Sequence, residues 1–131
     1  MKPSPALFAY EVSVAGRDWR QIVNARTPGK AKHSYHRQVL DAWPDVPFTA
    51  MRCRKVGAPQ TSDAFRRNAA YRGLPDVRCG QRVIVGEARG AIVGHNSSAN
   101  FDVLFDDDSP RYAGLTLNVH PNSLTVERDH S

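Results

Sequence analysis

The second half of the chain consists of short apolar runs that glycine and polar residues interrupt, beginning at Val77. Their length and their β-branched residues predict strands rather than helices. The predicted strands are Gln81–Val85, Ala91–Val93, Phe101–Phe105, Leu115–Val119 and Leu124–Val126. A turn is predicted at Gly86–Gly90. Five strands in about 50 residues favour a closed, strongly bent small barrel.

The first half predicts a mixture of strands and one helix. Residues 7–16 alternate apolar and polar side chains, and residues 19–25 follow after a short turn, which together predict a β-hairpin. Thr27 and Pro28 have the features of a helix start, and an apolar stripe at helical spacing follows as far as the next proline. Residues 47–56 predict a third strand.

The predicted fold class is therefore α+β, with two modules. A short helix is predicted over residues 63–72, docked through Phe65, Ala69 and Tyr71 and closed by a glycine. The two modules are a basic ββαβ module over residues 5–57 and a five-stranded SH3-like small β-barrel over residues 77–128. A linker with the short helix, residues 58–76, joins them.

The net charge of +5 hides an asymmetry along the chain. Residues 1–73 contain 13 Lys and Arg against 5 Asp and Glu, a net charge of +8. Residues 74–131 contain 5 against 8, a net charge of −3. A basic and an acidic half predict different partners, and a polyanion would bind the first half.

Several classes of protein are not supported by the sequence. No signal peptide and no apolar run of membrane-spanning length is present, so a cytoplasmic protein without a membrane partner is expected. Cys53 and Cys79 have no CxxC pattern and no His at ligand spacing, which predicts buried or half-buried thiols rather than a disulfide framework or a zinc site. No phosphate-binding loop and no G-x-S-x-G elbow occurs, so we expect no enzyme activity, no cofactor and no metal.

Cationic side chains recur on the predicted helix and on the third strand. Such a stripe suits a phosphate backbone, although a solvated helix face is the alternative explanation. His33 and His36 have no third ligand or nucleophile at useful spacing, so a metal or general-base role is not favoured. The candidate nucleic-acid contacts are Lys30, Lys32, His33, His36, Arg37, Arg52, Arg54, Lys55, Arg66 and Arg67.

An acidic loop follows the third predicted strand of the barrel, in FDVLFDDD. Strand alternation predicts Asp102, Asp106 and Asp108 on one side of the sheet, but their spacing does not match a calcium loop. A polar turn or a protein contact is therefore the favoured interpretation. The candidate protein contacts are Asp106, Asp107, Asp108, Arg111 and Tyr112.

The stretch CGQRVIVGEARGAIVG, residues 79–94, resembles the opening of KOW-type and Tudor-like small barrels. Residues 71–121 together with RTPGKAKHSYHRQVLDAWPDVPF are similar to a group of small accessory proteins of tailed bacteriophages and prophages. That resemblance implies a viral protein in the cytoplasm of a bacterial host, and it carries no mechanism.

Two functions from different classes are predicted. One is a phage accessory protein that binds nucleic acid through the basic helix and third strand. The other is a protein adaptor or inhibitor that docks on a host or phage protein through the acidic loop.

Overall fold

The computed structural model describes residues 6–96 and 98–127 and has an α+β architecture with two helices and two sheets. The chain divides into two compact units, of which the first ends at Gln60 and the second begins at Thr61. The predicted α+β class is confirmed. Residues 5 and 128, the outer bounds of the predicted modules, lie outside the described residues. Among the residues described, neither helix is long and apolar enough to cross a membrane.

The first unit is a three-stranded antiparallel sheet with one helix on it, in the sheet order β2-β1-β3. Its elements are β1 (Phe8–Val14), β2 (Arg20–Ala25), α1 (Pro28–Ala42), a 3₁₀ turn (Phe48–Ala50) and β3 (Met51–Gly57). The expected third strand thus starts only at Met51, because Phe48–Ala50 forms the 3₁₀ turn.

The two faces of this sheet differ in composition. Tyr10, Val12 and Val14 of β1 are buried in one core with the α1 residues that face the sheet, so α1 covers this face, called here the helix side. The other face, called here the open sheet face, carries the intervening residues of β1 and their cross-strand neighbours. These residues are Glu11, Ser13, Arg20, Ile22, Arg52 and Arg54.

The second unit is a five-stranded antiparallel sheet with the order β7-β6-β5-β4-β8. Its strands are β4 (Arg82–Val85), β5 (Ala88–His95), β6 (Phe101–Phe105), β7 (Thr116–Val119) and β8 (Thr125–Val126), preceded by α2 (Asp63–Tyr71). The prediction of a closed barrel was wrong, because within the described residues the sheet remains open and ends at β7 and β8.

Glycine explains one misplaced strand boundary. The chain reverses through Gly86 and Glu87 alone, with Val85 opposite Ala88, and Gly86 has the positive φ of +62° that this tight turn needs. The predicted turn at Gly86–Gly90 was therefore too long. Gly90 lies inside β5 opposite Phe105, where a Cβ would come within 2.5 Å of the Leu104 carbonyl oxygen.

Helix α2 belongs to the core of the second unit. Ser62 caps it by accepting a hydrogen bond from the Phe65 N–H, and Phe65 and Ala69 are buried in the same core as Phe101. The expected docking of Tyr71 was wrong, since this side chain is 79% exposed. The Arg72 guanidinium, at the end of α2, donates to the carbonyl oxygens of Ser98 and Ala99.

Candidate functional site

The start of α1 is fixed by the cap that the sequence predicts. The Thr27 hydroxyl accepts a hydrogen bond from the Lys30 N–H at 3.1 Å, and Pro28 occupies the first helical position. The helix then buries Ala31, Tyr35 and Val39 against the sheet. The exposed face of α1 therefore carries Lys30, His33 and Arg37.

Three of the predicted contacts on α1 pack around one aromatic ring. The His33 imidazole stacks on Phe48 with ring centroids 4.2 Å apart, and the Lys32 Nζ lies 5.5 Å from the same ring centroid. His36 meets Phe48 edge on at 5.6 Å, and its Nε2 lies 2.7 Å from the Val46 carbonyl oxygen. These side chains therefore help to hold the 3₁₀ turn against the helix.

The structure separates the helix cations from the strand arginines. Arg52 and Arg54 pair with Ser13 and Glu11, and so belong to the open sheet face, whereas α1 lies on the helix side. The helix cations and the strand arginines therefore do not form one surface. The cause is the strand pleat, which sends alternate side chains of β3 to opposite faces.

Strand alternation places Lys55 on the helix side. Lys55 lies opposite Tyr10 and on the same face as Met51 and Cys53, and the register of β1 with β3 shifts only beyond this pair, between Ala9 and Tyr10. The Lys55 Nζ lies 3.6 Å from the centroid of the Phe8 ring, which packs against the first core. Arg66 and Arg67, the two remaining predicted contacts, are exposed on α2 in the second unit.

The cations also differ in what they already bind. The Arg52 guanidinium donates to the carbonyl oxygens of Thr49 and Met51, and Arg54 forms an ion pair with Glu11 at 3.4 Å. By contrast, no hydrogen bond or ion pair within residues 6–96 and 98–127 engages the side chains of Lys30 or Arg37.

A partly exposed aromatic cluster that the sequence pattern did not indicate lies where α1 ends, with Trp43 half-exposed and Trp19 half-buried against the core of the first unit. The rings of Trp19 and Trp43 lie 5.3 Å apart at an angle of 36°, and the Arg17 guanidinium carbon is 4.6 Å and 5.5 Å from their centroids. We call these three residues the tryptophan cluster. A usable signal was present, because both tryptophans of the chain fall just outside elements of the same unit.

The acidic loop is partly internal. Asp106 is 5% exposed, and its two carboxylate oxygens accept hydrogen bonds from the Arg82 guanidinium, one of them at 2.8 Å. The hydrogen bonds to Asp106 raise the pKa of Arg82 above its usual value, against the lowering effect of burial. Arg82 also lies 3.9 Å from Glu127, so the Asp106 carboxylate serves an internal ion-pair network.

The remaining loop residues are at the surface. Asp107, Asp108, Arg111 and Tyr112 are exposed, and the Tyr112 ring packs on Phe105 at 5.1 Å. Asp102 accepts a hydrogen bond from Asn118 and so has a different partner from Asp106. Among the described residues, no group of three or more His, Cys, Asp or Glu side chains is arranged to hold a metal ion.

Cys53 and Cys79 are not joined in a disulfide, and both are half-buried, which is one of the two predicted alternatives. Burial raises the pKa of the Cys53 thiol above its usual value, while the nearby charge of Lys32 acts in the opposite direction.

Comparison of the chain with protein-family models, curated proteins and solved structures found no match. The charge, divided at the boundary between the units, is less asymmetric than the division into residues 1–73 and 74–131, but it keeps the same sign. Residues 5–60 contain nine Lys and Arg against four Asp and Glu, a net charge of +5, whereas residues 61–131 contain eight against nine, a net charge of −1. The positive charge of the protein therefore belongs to the first unit.

Proposed function

We propose that the protein is a non-enzymatic binding protein whose first unit contacts nucleic acid from the helix side. The observation that carries this proposal is the pair of exposed cations Lys30 and Arg37, whose side chains have no partner among the described residues, within a unit of net charge +5. They are separated by two turns of α1, about 10 Å along the helix axis. Cations in this arrangement attract a phosphate backbone without reading its sequence.

The helix side is favoured over the open sheet face on three grounds. Arg52 and Arg54 already have internal partners, so a phosphate would have to compete with a carboxylate or with backbone carbonyl groups. Glu11 adds a negative charge to that face. The Asn24 side chain lies opposite Ala9 on that face and exchanges two hydrogen bonds with the Gln60 backbone, at 2.8 Å and 2.9 Å. The chain after β3 is therefore held against the open sheet face.

Charge reversal on one side of the sheet tests the proposal against a matched control. We expect the Lys30→Glu, Arg37→Glu double variant to lose about tenfold or more of its affinity for labelled DNA or RNA at low salt. The Arg52→Glu, Arg54→Glu variant carries the same change in net charge on the opposite face and should lose much less. Fluorescence anisotropy gives the affinities, and circular dichroism checks that both variants remain folded.

The outcomes are distinct. Equal losses in the two variants would show that binding follows net charge alone and would contradict a helix-side site. Absence of binding by the wild-type protein, to single or double strands at low salt, would refute nucleic-acid binding altogether.

A second candidate function is protein docking through the second unit, supported by exposed side chains around the acidic loop. Tyr112 is 41% and Leu115 is 53% exposed, close in sequence to Asp107 and Asp108. Aromatic and apolar anchors beside charged groups are typical of protein contacts. A Tyr112→Ala, Leu115→Ser variant that loses a host or phage protein partner while its stability is unchanged would support this function.

The biological setting is part of the proposal. The resemblance to accessory proteins of tailed bacteriophages leads us to place the protein in the cytoplasm of an infected host. In the second unit the last strand pairs beside β4, the first strand of the meander. This order supports a relation to SH3-like, KOW-type folds. The sheet of this unit differs from such a barrel in being open within the described residues.

A further inference from the structure

We propose that the tryptophan cluster, formed by Arg17, Trp19 and Trp43, is a base-stacking site, so that the preferred ligand is single-stranded nucleic acid. This inference rests on the proposed function and specifies its ligand. The cluster contains every tryptophan of the chain.

The position of the cluster follows from the fold. The Trp19 carbonyl oxygen accepts a hydrogen bond from the Val14 N–H at 3.3 Å, which sets Trp19 beside Val14, whose side chain faces α1. Trp43 is the C-terminal cap of α1, and its N–H donates to the Val39 carbonyl oxygen at 2.8 Å. The cluster therefore lies on the helix side, six residues and about 9 Å along the axis beyond Arg37.

The exposure of the cluster is more than the fold requires. Trp43 is 51% exposed, and Pro44 directly after it is sufficient to end the helix. A half-exposed indole leaves a large apolar surface in water, which is unfavourable for a free protein. A flat ligand that covers this ring would recover that free energy.

The charge of the cluster favours a nucleotide over an apolar protein segment. Arg17 lies over both rings, so its positive charge stands beside the surface on which a ligand would stack. A base can stack on the indole while its phosphate meets the guanidinium. An apolar side chain would instead have to remove water from Arg17 without compensation.

A stacking site also distinguishes single strands from duplexes. In a duplex both faces of each base are covered by neighbouring bases, whereas an unpaired base offers a free face to an aromatic side chain. From Lys30 to Trp43 the helix spans about 20 Å along its axis, and Trp43 lies about a third of a turn around the axis from Arg37. A short single-stranded segment that bends around the end of α1 would contact the cations and the rings in turn.

Tryptophan fluorescence tests this inference, because emission from this chain reports the cluster alone. Oligothymidine and oligouridine of about 12 nucleotides, within the known range of site sizes, would be titrated beside a hairpin duplex of equal charge. We expect quenching by the single strands and little change with the duplex. The Trp43→Ala variant should bind single strands roughly tenfold to a hundredfold more weakly and the duplex with unchanged affinity.

Controls distinguish the possible failures. The Trp43→Phe variant should keep most of the affinity, and quenching of the wild-type protein does not depend on the folding of any variant. Salt-sensitive binding without quenching, and with full affinity in Trp43→Ala, would overturn the stacking site and leave the proposed function intact. The cluster would then be free for a protein partner. If Lys30→Glu, Arg37→Glu has no effect on binding either, the proposed function fails as well. A difference between oligothymidine and oligouridine would assign the ligand to DNA or RNA.

Discussion

The two units of this protein use their charged and aromatic side chains in opposite ways. In the second unit Arg82 and Asp106 bind each other at the sheet, and Phe65, Phe101 and Phe105 are almost completely buried. In the first unit Lys30 and Arg37 have no internal partner among the described residues, and Trp43 is half-exposed.

Under the proposed function, this difference explains why the first unit rather than the second would bind the ligand. A charged side chain with an internal partner must give up that contact before it can bind a ligand. A surface charge without an internal partner can bind a ligand without this cost in free energy. The second unit therefore uses its central ion pair for stability. The first unit holds its cations and rings in positions where a ligand can reach them.

The largest expected effect concerns the core of the second unit. Phe65→Ala removes a ring that packs on Phe101 at 5.5 Å and is 1% exposed. We expect a loss of about 3–5 kcal/mol in the free energy of unfolding, measured by denaturant titration with circular dichroism. Tyr71→Ala on the same helix is the control and should change stability by less than about 0.5 kcal/mol. Similar losses in both variants would contradict the assignment of α2 to this core.

The ion pairs of the two units should differ in strength. Asp106→Ala leaves the half-buried Arg82 without its bidentate partner and should cost about 3 kcal/mol of stability. Glu11→Ala removes the partner of the exposed Arg54 in the first unit and should cost less than about 1 kcal/mol. Thermal and denaturant unfolding compare the two variants. Equal losses of stability in the two variants would contradict the expected difference between the internal and the exposed ion pair.

Substitution of two glycines by alanine should give the smallest of these changes in stability, with opposite signs. Gly90→Ala places a methyl group against backbone atoms of β6 that cannot yield, and should destabilise the protein by about 1–3 kcal/mol. Gly29→Ala, near the start of α1, meets nothing within 4 Å and should stabilise the protein by about 0.5 kcal/mol. A neutral Gly90→Ala variant would show that β5 and β6 are farther apart than described.

The local elements were largely predictable from the sequence. Thr27 acts as the helix cap that its position predicts, and the start and end of α1 match the expected residues closely. These features depend on contacts within a few residues, so the sequence pattern contains them. The burial of Phe65 and Ala69 follows from helical spacing for the same reason.

The features that depend on pairing between distant strands were not predictable. The contact of Arg82 with Asp106 joins two strands that are distant in the sequence, and it has no local signature. The open sheet in place of a closed barrel has the same cause, since closure depends on whether β7 reaches β8. The candidate site was therefore half predicted, with the cations of α1 identified and the tryptophan cluster missed.

The salt dependence of binding tests the central claim most directly, that phosphates meet the helix side of the first unit. Affinity for oligothymidine would be measured across a salt series for wild type, Lys30→Gln with Arg37→Gln, and Arg52→Gln with Arg54→Gln. Loss of two phosphate contacts should reduce the slope of log affinity against log salt by about 1.4 for a single strand. We predict this reduction in the helix-side variant and an unchanged slope in the sheet-face variant. The reverse pattern would place the ligand on the open sheet face and contradict the account.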